Sequence, residues 1–163
     1  MVRLLFAVVV ALGAPLPVFA QPAQKVLAGT ELKDYIRANY TKYEFSVPMR
    51  DGTKLFTAVY VPKDDSQKYP IVLIRTPYSV GPYGADKYPD SLRPGALFAQ
   101  SSYIFAYQDV RGRWMSEGTF ENMRPHALAK DAKCNESSDT YDTVEWLTKN
   151  VKGNNGNVGI TGI

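Results

Sequence analysis

The chain has 163 residues, 45% of them hydrophobic and 12% aromatic, which excludes disordered and fibrous classes and suits one modest globular domain. Its formal net charge is +3, and the 19 basic residues are spread along the chain. They form no basic stripe of the kind a nucleic-acid interface needs, so no nucleic-acid partner is expected.

Arg3 precedes an apolar run over 4–12, which Gly13, Pro15 and Pro17 interrupt. Val18-Phe19-Ala20 then has the small-x-small form of a signal-peptidase site, with cleavage before Gln21. The run is shorter than the roughly 20 apolar residues of a membrane span, so export without a stable membrane anchor is expected. Residues 1–20 are read as signal peptide, 21–42 as linker and short helix, and 43–163 as the folded domain.

Thr30 is read as the cap of a helix over 31–39, with Leu32, Tyr35 and Ile36 on one side. Residues 43–49 alternate as a strand, Arg50-Asp51-Gly52 turns, and 54–61 returns, which predicts an antiparallel hairpin. A polar, proline-bounded loop follows over 62–70. Residues 71–74 (IVLI) are then apolar without alternation, as in a strand buried on both faces of a parallel sheet.

A short helix is expected over 95–101 and a second buried strand over 103–109. Residues 139–149 read as the best helix, with Asp139 and Asp142 at its start, Lys149 and Lys152 at its end, and Gly153 stopping it. Tyr141, Val144 and Leu147 would face the sheet. Asn154-Asn155-Gly156 is read as a turn into a closing buried strand over 158–163. Strands alternating with helices indicate βαβ crossovers and an α/β fold.

Chemistry in such sheets gathers at the carboxyl ends of the strands. Three segments qualify: Arg75-Thr76-Pro77-Tyr78, then Asp109-Val110-Arg111-Gly112-Arg113, which opens the charge- and glycine-dense stretch DVRGRWMSEG over 109–118, and the terminal Gly162-Ile163. By count the closing strand is the fifth, and in α/β-hydrolases the nucleophile elbow G-x-S-x-G follows that strand. Gly162 and Ile163 fit its first two positions. Tyr78 is either an oxyanion-hole donor after the third strand or a ring packed on a Thr-Pro turn. Arg111 or Arg113 either binds a substrate carboxylate or sits in a loop-shaping ion-pair network with Asp109 or Glu117, and the network is favoured.

His126, the sole histidine, precedes the expected serine and so stands outside the Ser-Asp-His order. With one histidine and one cysteine no metal cluster forms, and no nucleotide motif occurs, so no cofactor is expected. Cys134 is either a free, buried thiol or paired with a group outside this chain. Asn39-Tyr40-Thr41 and Asn135-Glu136-Ser137 match the N-glycosylation pattern.

Five stretches together resemble the CocE/NonD hydrolases: VPMRDGTKL at 47–55, RTPY at 75–78, QDVRGR at 108–113, SEG at 116–118 and YDTVEWL at 141–147. That group includes cocaine-esterase-like enzymes, α-amino-acid ester hydrolases and X-prolyl dipeptidyl aminopeptidases. The resemblance implies the N-terminal half of an α/β-hydrolase fold, an antiparallel hairpin leading into a parallel sheet flanked by helices, incomplete in this chain. It also implies a serine acyl hydrolase acting on a small acyl ester, amide or peptide, with Tyr78 in the oxyanion hole. Asp109, Arg111 and Arg113 would shape the loop beside the site. The family's Ser, Asp and His match nothing in this chain and are expected after Ile163, so the chain by itself is expected to be inactive. A rival reading keeps the fold as a non-catalytic exported binding or scaffold protein. Oligomeric state is left open.

Overall fold

A computed structural model describes residues 25–122 and 134–162. Its elements in chain order are α1 (Gly29–Asn39), β1 (Tyr40–Pro48), β2 (Lys54–Pro62), β3 (Tyr69–Thr76), α2 (Ala96–Gln100), β4 (Ile104–Asp109), α3 (Glu136–Asn150) and β5 (Asn154–Ile160). They build one mixed sheet in the order β1-β2-β4-β3-β5. β1, β2 and β4 pair antiparallel, whereas β3 lies parallel to both β4 and β5. The expected α/β class, a hairpin leading into a parallel sheet, is what forms.

Alternate residues of the inner strands feed two cores. Ala58, Tyr60, Val72 and Phe105 pack on one face with Leu32 and Ile36 of α1 and Ala99 of α2. Val59, Ile71, Leu73, Ile104 and Ala106 pack on the other with Leu147 of α3 and Val151. Because both faces are covered, the 71–74 run is apolar at every position. The connections through α2 and α3 therefore lie on opposite faces, and the chain crosses from one side of β3 to the other. The carboxyl end of β3 lies at that switch, where open α/β sheets place ligands.

Several expectations are corrected. α1 starts at Gly29 with Ala28 as its N-cap, and no side chain caps it; Thr30 lies inside. The entry is made by Gly29 at φ +54°, which glycine adopts without a Cβ clash. β1 follows α1 with no linker, because Tyr40 is buried and its hydroxyl donates to the Ala99 carbonyl (2.7 Å). α3 begins before Asp139, at Glu136. Asn135 and Ser138 form a reciprocal capping box there. The Asn135 side chain is spent on this cap and buried, so that glycosylation tripeptide is structurally committed.

The buried face of α3 is Asp139, Thr143 and Leu147, and Tyr141 is 63% exposed. The helix is rotated away from its most apolar stripe because a polar seam lies beneath it. Gln108 Nε2 donates to Thr57 Oγ1 (3.0 Å) and Thr143 Oγ1 (2.9 Å), and Arg75 Nε donates to Gln108 Oε1 (2.7 Å). β5 begins at Asn154, within the expected turn, and ends at Ile160. Its residues are half-buried or exposed, because β3 is its only strand neighbour among the described residues. The signal segment, Ile163 and His126 lie outside the described residues.

Candidate active site

The parallel pairing sets Thr76 opposite Asp109 and Leu73 opposite Ile160. The loop after β3, the loop after β4 and the 161–162 segment therefore leave the same edge of the sheet side by side. Thr161 N–H donates to the Leu73 carbonyl (3.1 Å), which keeps the chain beside β3 as it approaches Gly162.

Tyr78 stands on the first of these loops, and its backbone is pinned on both sides. Tyr78 N–H donates to Thr76 Oγ1 (3.0 Å). The Pro77 carbonyl accepts from Arg113 Nε (3.1 Å) and from the Trp114 indole N–H (2.9 Å). Val80 N–H donates to Asp109 Oδ1 (3.0 Å). Yet the Tyr78 side chain is free: the residue is 74% exposed, and its hydroxyl has no hydrogen-bond partner among the described residues. It borders a cleft of about 380 Å³ walled by Tyr60, Ile74, Val80, Arg93 and Tyr107.

The far wall of the cleft, 79–93, is held by buried polar groups. Lys42 on β1 has a fully buried side chain, and its ammonium donates to the carbonyls of Pro82 (2.6 Å), Gly84 (2.9 Å) and Lys87 (3.1 Å). Glu44 accepts Gly84 N–H (2.7 Å) and pairs with Lys42 (2.9 Å). The Tyr107 hydroxyl accepts Arg93 N–H (2.7 Å). These bonds satisfy backbone groups of Pro82, Gly84, Lys87 and Arg93 and tie the wall to β1 and β4.

Residues 51–163 match the family model described as X-Pro dipeptidyl-peptidase (S15 family). The chain belongs to this family. It is 31% identical over 117 residues to the cocaine esterase of Rhodococcus sp. (strain MB1 Bresler), covering 72% of this chain and 18% of that protein. Among solved structures it is similar to an aminopeptidase from a marine sediment Thaumarchaeota archaeon, with 34% identity and a TM-score of 0.64, covering 91% of this chain and 23% of that one. An α-amino acid ester hydrolase superposes with the same TM-score of 0.64 at 31% identity, covering 90% and 24% of the two chains. The S15 chain thus spans about a quarter or less of the length of these relatives. The CocE/NonD resemblance read from the motifs is borne out.

In the S15 chain Asp109, Arg111 and Arg113 stand at the end of β4 and on the loop after it, and Asp109 and Arg113 reach the loop that carries Tyr78, whereas Arg111 has partners that differ from the expected ones. Arg111 pairs with neither Asp109 nor Glu117. Its Nε and Nη2 donate to the two oxygens of Asp139 (2.9 and 2.7 Å), and Nη1 donates to Asp51 (2.8 Å). Glu117 instead accepts Lys54 N–H (2.9 Å). With four hydrogen bonds to carboxylates and a side chain only 7% exposed, Arg111 is built into an internal ion-pair network. Burial raises the Asp51 carboxyl, but hydrogen bonds from Arg111, Cys134 and Thr53 more than offset it and hold that group well below the usual range. Cys134 is a free, half-buried thiol, raised by burial and then by its bond to Asp51.

Asp109 is fully buried, and desolvation raises its carboxyl despite hydrogen bonds from Tyr83, Met115 N–H and Val80 N–H. The 109–118 loop is closed by Ser116, whose hydroxyl donates to the Asp109 carbonyl (2.6 Å) and accepts Phe56 N–H (2.8 Å). Gly112 sits at φ +69°, and a Cβ there would run into the backbone of Thr119 and Phe120. Gly112→Ala is expected to destabilise by at least about 2 kcal/mol, read as a lowered thermal midpoint of the complete protein.

Lys42, Glu44, Ser79 and Tyr83 were not singled out from sequence. Lys42 lies outside the expected strand 43–49, and its three carbonyl partners stand 40 to 45 residues away. Only the pairing of Lys42 with Glu44 two residues on, one strand face, signals it locally.

Proposed function

We propose that the complete protein is an exported hydrolase of acyl ester or amide bonds, working through a serine nucleophile, with Tyr78 as one donor of its oxyanion hole. The single observation that carries this reading is Tyr78 itself, a phenol that is exposed and unpaired among the described residues, on a backbone pinned by Thr76, Arg113, Trp114 and Asp109. No packing contact among the described residues accounts for an aromatic ring on so fixed a mount. A donor aimed at a charge that exists only in the transition state does.

Gly162 and Ile163 are proposed as the lead into the nucleophile elbow, with the serine following Ile163 and the aspartate and histidine later in the complete protein. The serine Oγ adds to the acyl carbon while histidine takes its proton, and the carbonyl oxygen becomes the oxyanion. Tyr78 O–H donates to that oxygen. Collapse expels the alcohol or amine, which leaves with the proton from histidine, and water then releases the acid by the same steps. The signal-like layout of residues 1–20 supports export, and no helix among the described residues is long and apolar enough to cross a membrane.

The test is covalent labelling of the complete protein with a fluorophosphonate probe, followed by peptide mapping. One adduct is expected, on a serine directly after Ile163. An unlabelled protein that also leaves simple esters and X-Pro amides intact would overturn the reading.

A further inference from the structure

Behind Tyr78 lies a chain of hydroxyl groups whose direction follows from counting protons. Asp109 Oδ2 accepts from the Tyr83 hydroxyl (3.0 Å), while its Oδ1 accepts Val80 N–H (3.0 Å). Tyr83 has a single proton and gives it to Asp109, so its oxygen is left to accept from the Ser79 hydroxyl 3.0 Å away. Ser79 Oγ in turn accepts Gly81 N–H (3.1 Å). Each hydroxyl proton in this chain therefore has an acceptor. The ring of Tyr83 is wedged edge-on against Phe56, with centroids 5.3 Å apart, so its hydroxyl cannot wander.

Ser79 is also the residue directly after Tyr78, and it sits at φ +82°, a left-handed conformation that a serine adopts only when its surroundings enforce it. The turn at Ser79 fixes the path of the chain that carries the Tyr78 ring, and both residues line the cleft.

We propose that Ser79, Tyr83 and Asp109 are positioning residues that hold the Tyr78 hydroxyl at the oxyanion site, with the strained turn at Ser79 as the element they enforce. This rests on the reading of Tyr78 as an oxyanion donor. Asp109 ends β4 and accepts from both loops, including Met115 N–H at 3.4 Å, so it is the fixed point to which the turn is tied.

The experiment is a double-mutant cycle in the complete enzyme, assayed on one ester substrate. Tyr83→Phe removes one hydroxyl and keeps the ring. It is expected to lower kcat roughly 10-fold with KM changed less than about 2-fold, the signature of a misplaced transition-state contact. In a Tyr78→Phe background the same change is expected to have no further effect, because the group it positions is gone. A second pair of variants reads the turn directly. Ser79→Ala keeps the strain and loses the tie, whereas Ser79→Gly removes the strain, so glycine should recover activity lost with alanine. Equal losses from Tyr83→Phe in both backgrounds, or alanine matching glycine, would overturn the relay while leaving Tyr78 in place. An unaltered kcat for Tyr78→Phe alone would overturn the oxyanion reading and the relay together.

Discussion

Tyr78→Phe in the complete protein is expected to lower kcat by roughly 10²- to 10³-fold while KM stays nearly constant, the loss that follows removal of one oxyanion donor. The argument is geometric and concerns what the substitution leaves untouched. Among the described residues the ring is 74% exposed and the hydroxyl is unpaired, so the substitution removes no packing contact or hydrogen bond within this part of the protein. Thermal stability should therefore be unchanged within about 0.5 kcal/mol, as for a surface substitution. Loss of turnover without loss of stability separates a donor to the transition state from a structural tyrosine. A substrate contact made equally in ground and transition states would raise KM instead. If kcat and KM both remain at wild-type values, Tyr78 has no part in the chemistry.

How much of this was legible in the sequence depends on the distance over which each feature is specified. The hairpin could be read because Arg50-Asp51-Gly52 supplies its own turn, with Gly52 at φ +86°. Strands β3 and β4 could be read because burial on both faces writes an unbroken apolar run. The phase of α3 could not, because hydropathy assigns Asp139 and Thr143 to solvent, whereas Arg111 and Gln108 receive them in the interior. The capping box of Asn135 and Ser138 was present locally, but it lay in a polar lead that masked it as loop. The charged loop 109–118 stands out in the sequence by its density of charge and glycine. Its partners do not: Arg111 reaches 60 residues back to Asp51 and 28 forward to Asp139, separations at which sequence spacing carries no geometry. Tyr78 was the reverse case: its position after β3 could be read from the sequence, whereas a hydroxyl without a partner among the described residues is visible only in the fold.

Arg111→Ala is expected to destabilise the complete protein by about 3–5 kcal/mol, the cost of breaking a buried ion pair from one side. Arg111 joins three segments, the β1–β2 turn through Asp51, the first turn of α3 through Asp139, and the loop after β4 on which it stands. Once it is removed, Asp139 keeps a side chain only 1% exposed with no hydrogen-bonded cation. Arg75 Nη2 lies 4.0 Å from Asp139 Oδ2, an electrostatic contact without a hydrogen bond, and cannot replace two charge-assisted bonds. The thermal midpoint should fall by on the order of 10 °C. Arg111→Met combined with Asp139→Leu should cost less than Arg111→Ala alone, because no charge is then left buried without a partner. Acid dependence supplies an independent check. The folded Asp51 carboxyl titrates below its unfolded value of 3.8, so its contribution is present above that pH and is lost as the pH falls below it. The wild-type protein should therefore lose stability on acidification from neutral pH to about pH 3 more steeply than Arg111→Ala, in which the Asp51 partner is absent. Parallel acid profiles for the two proteins, or a midpoint unmoved by Arg111→Ala, would show that the three segments are held by packing and not by this arginine.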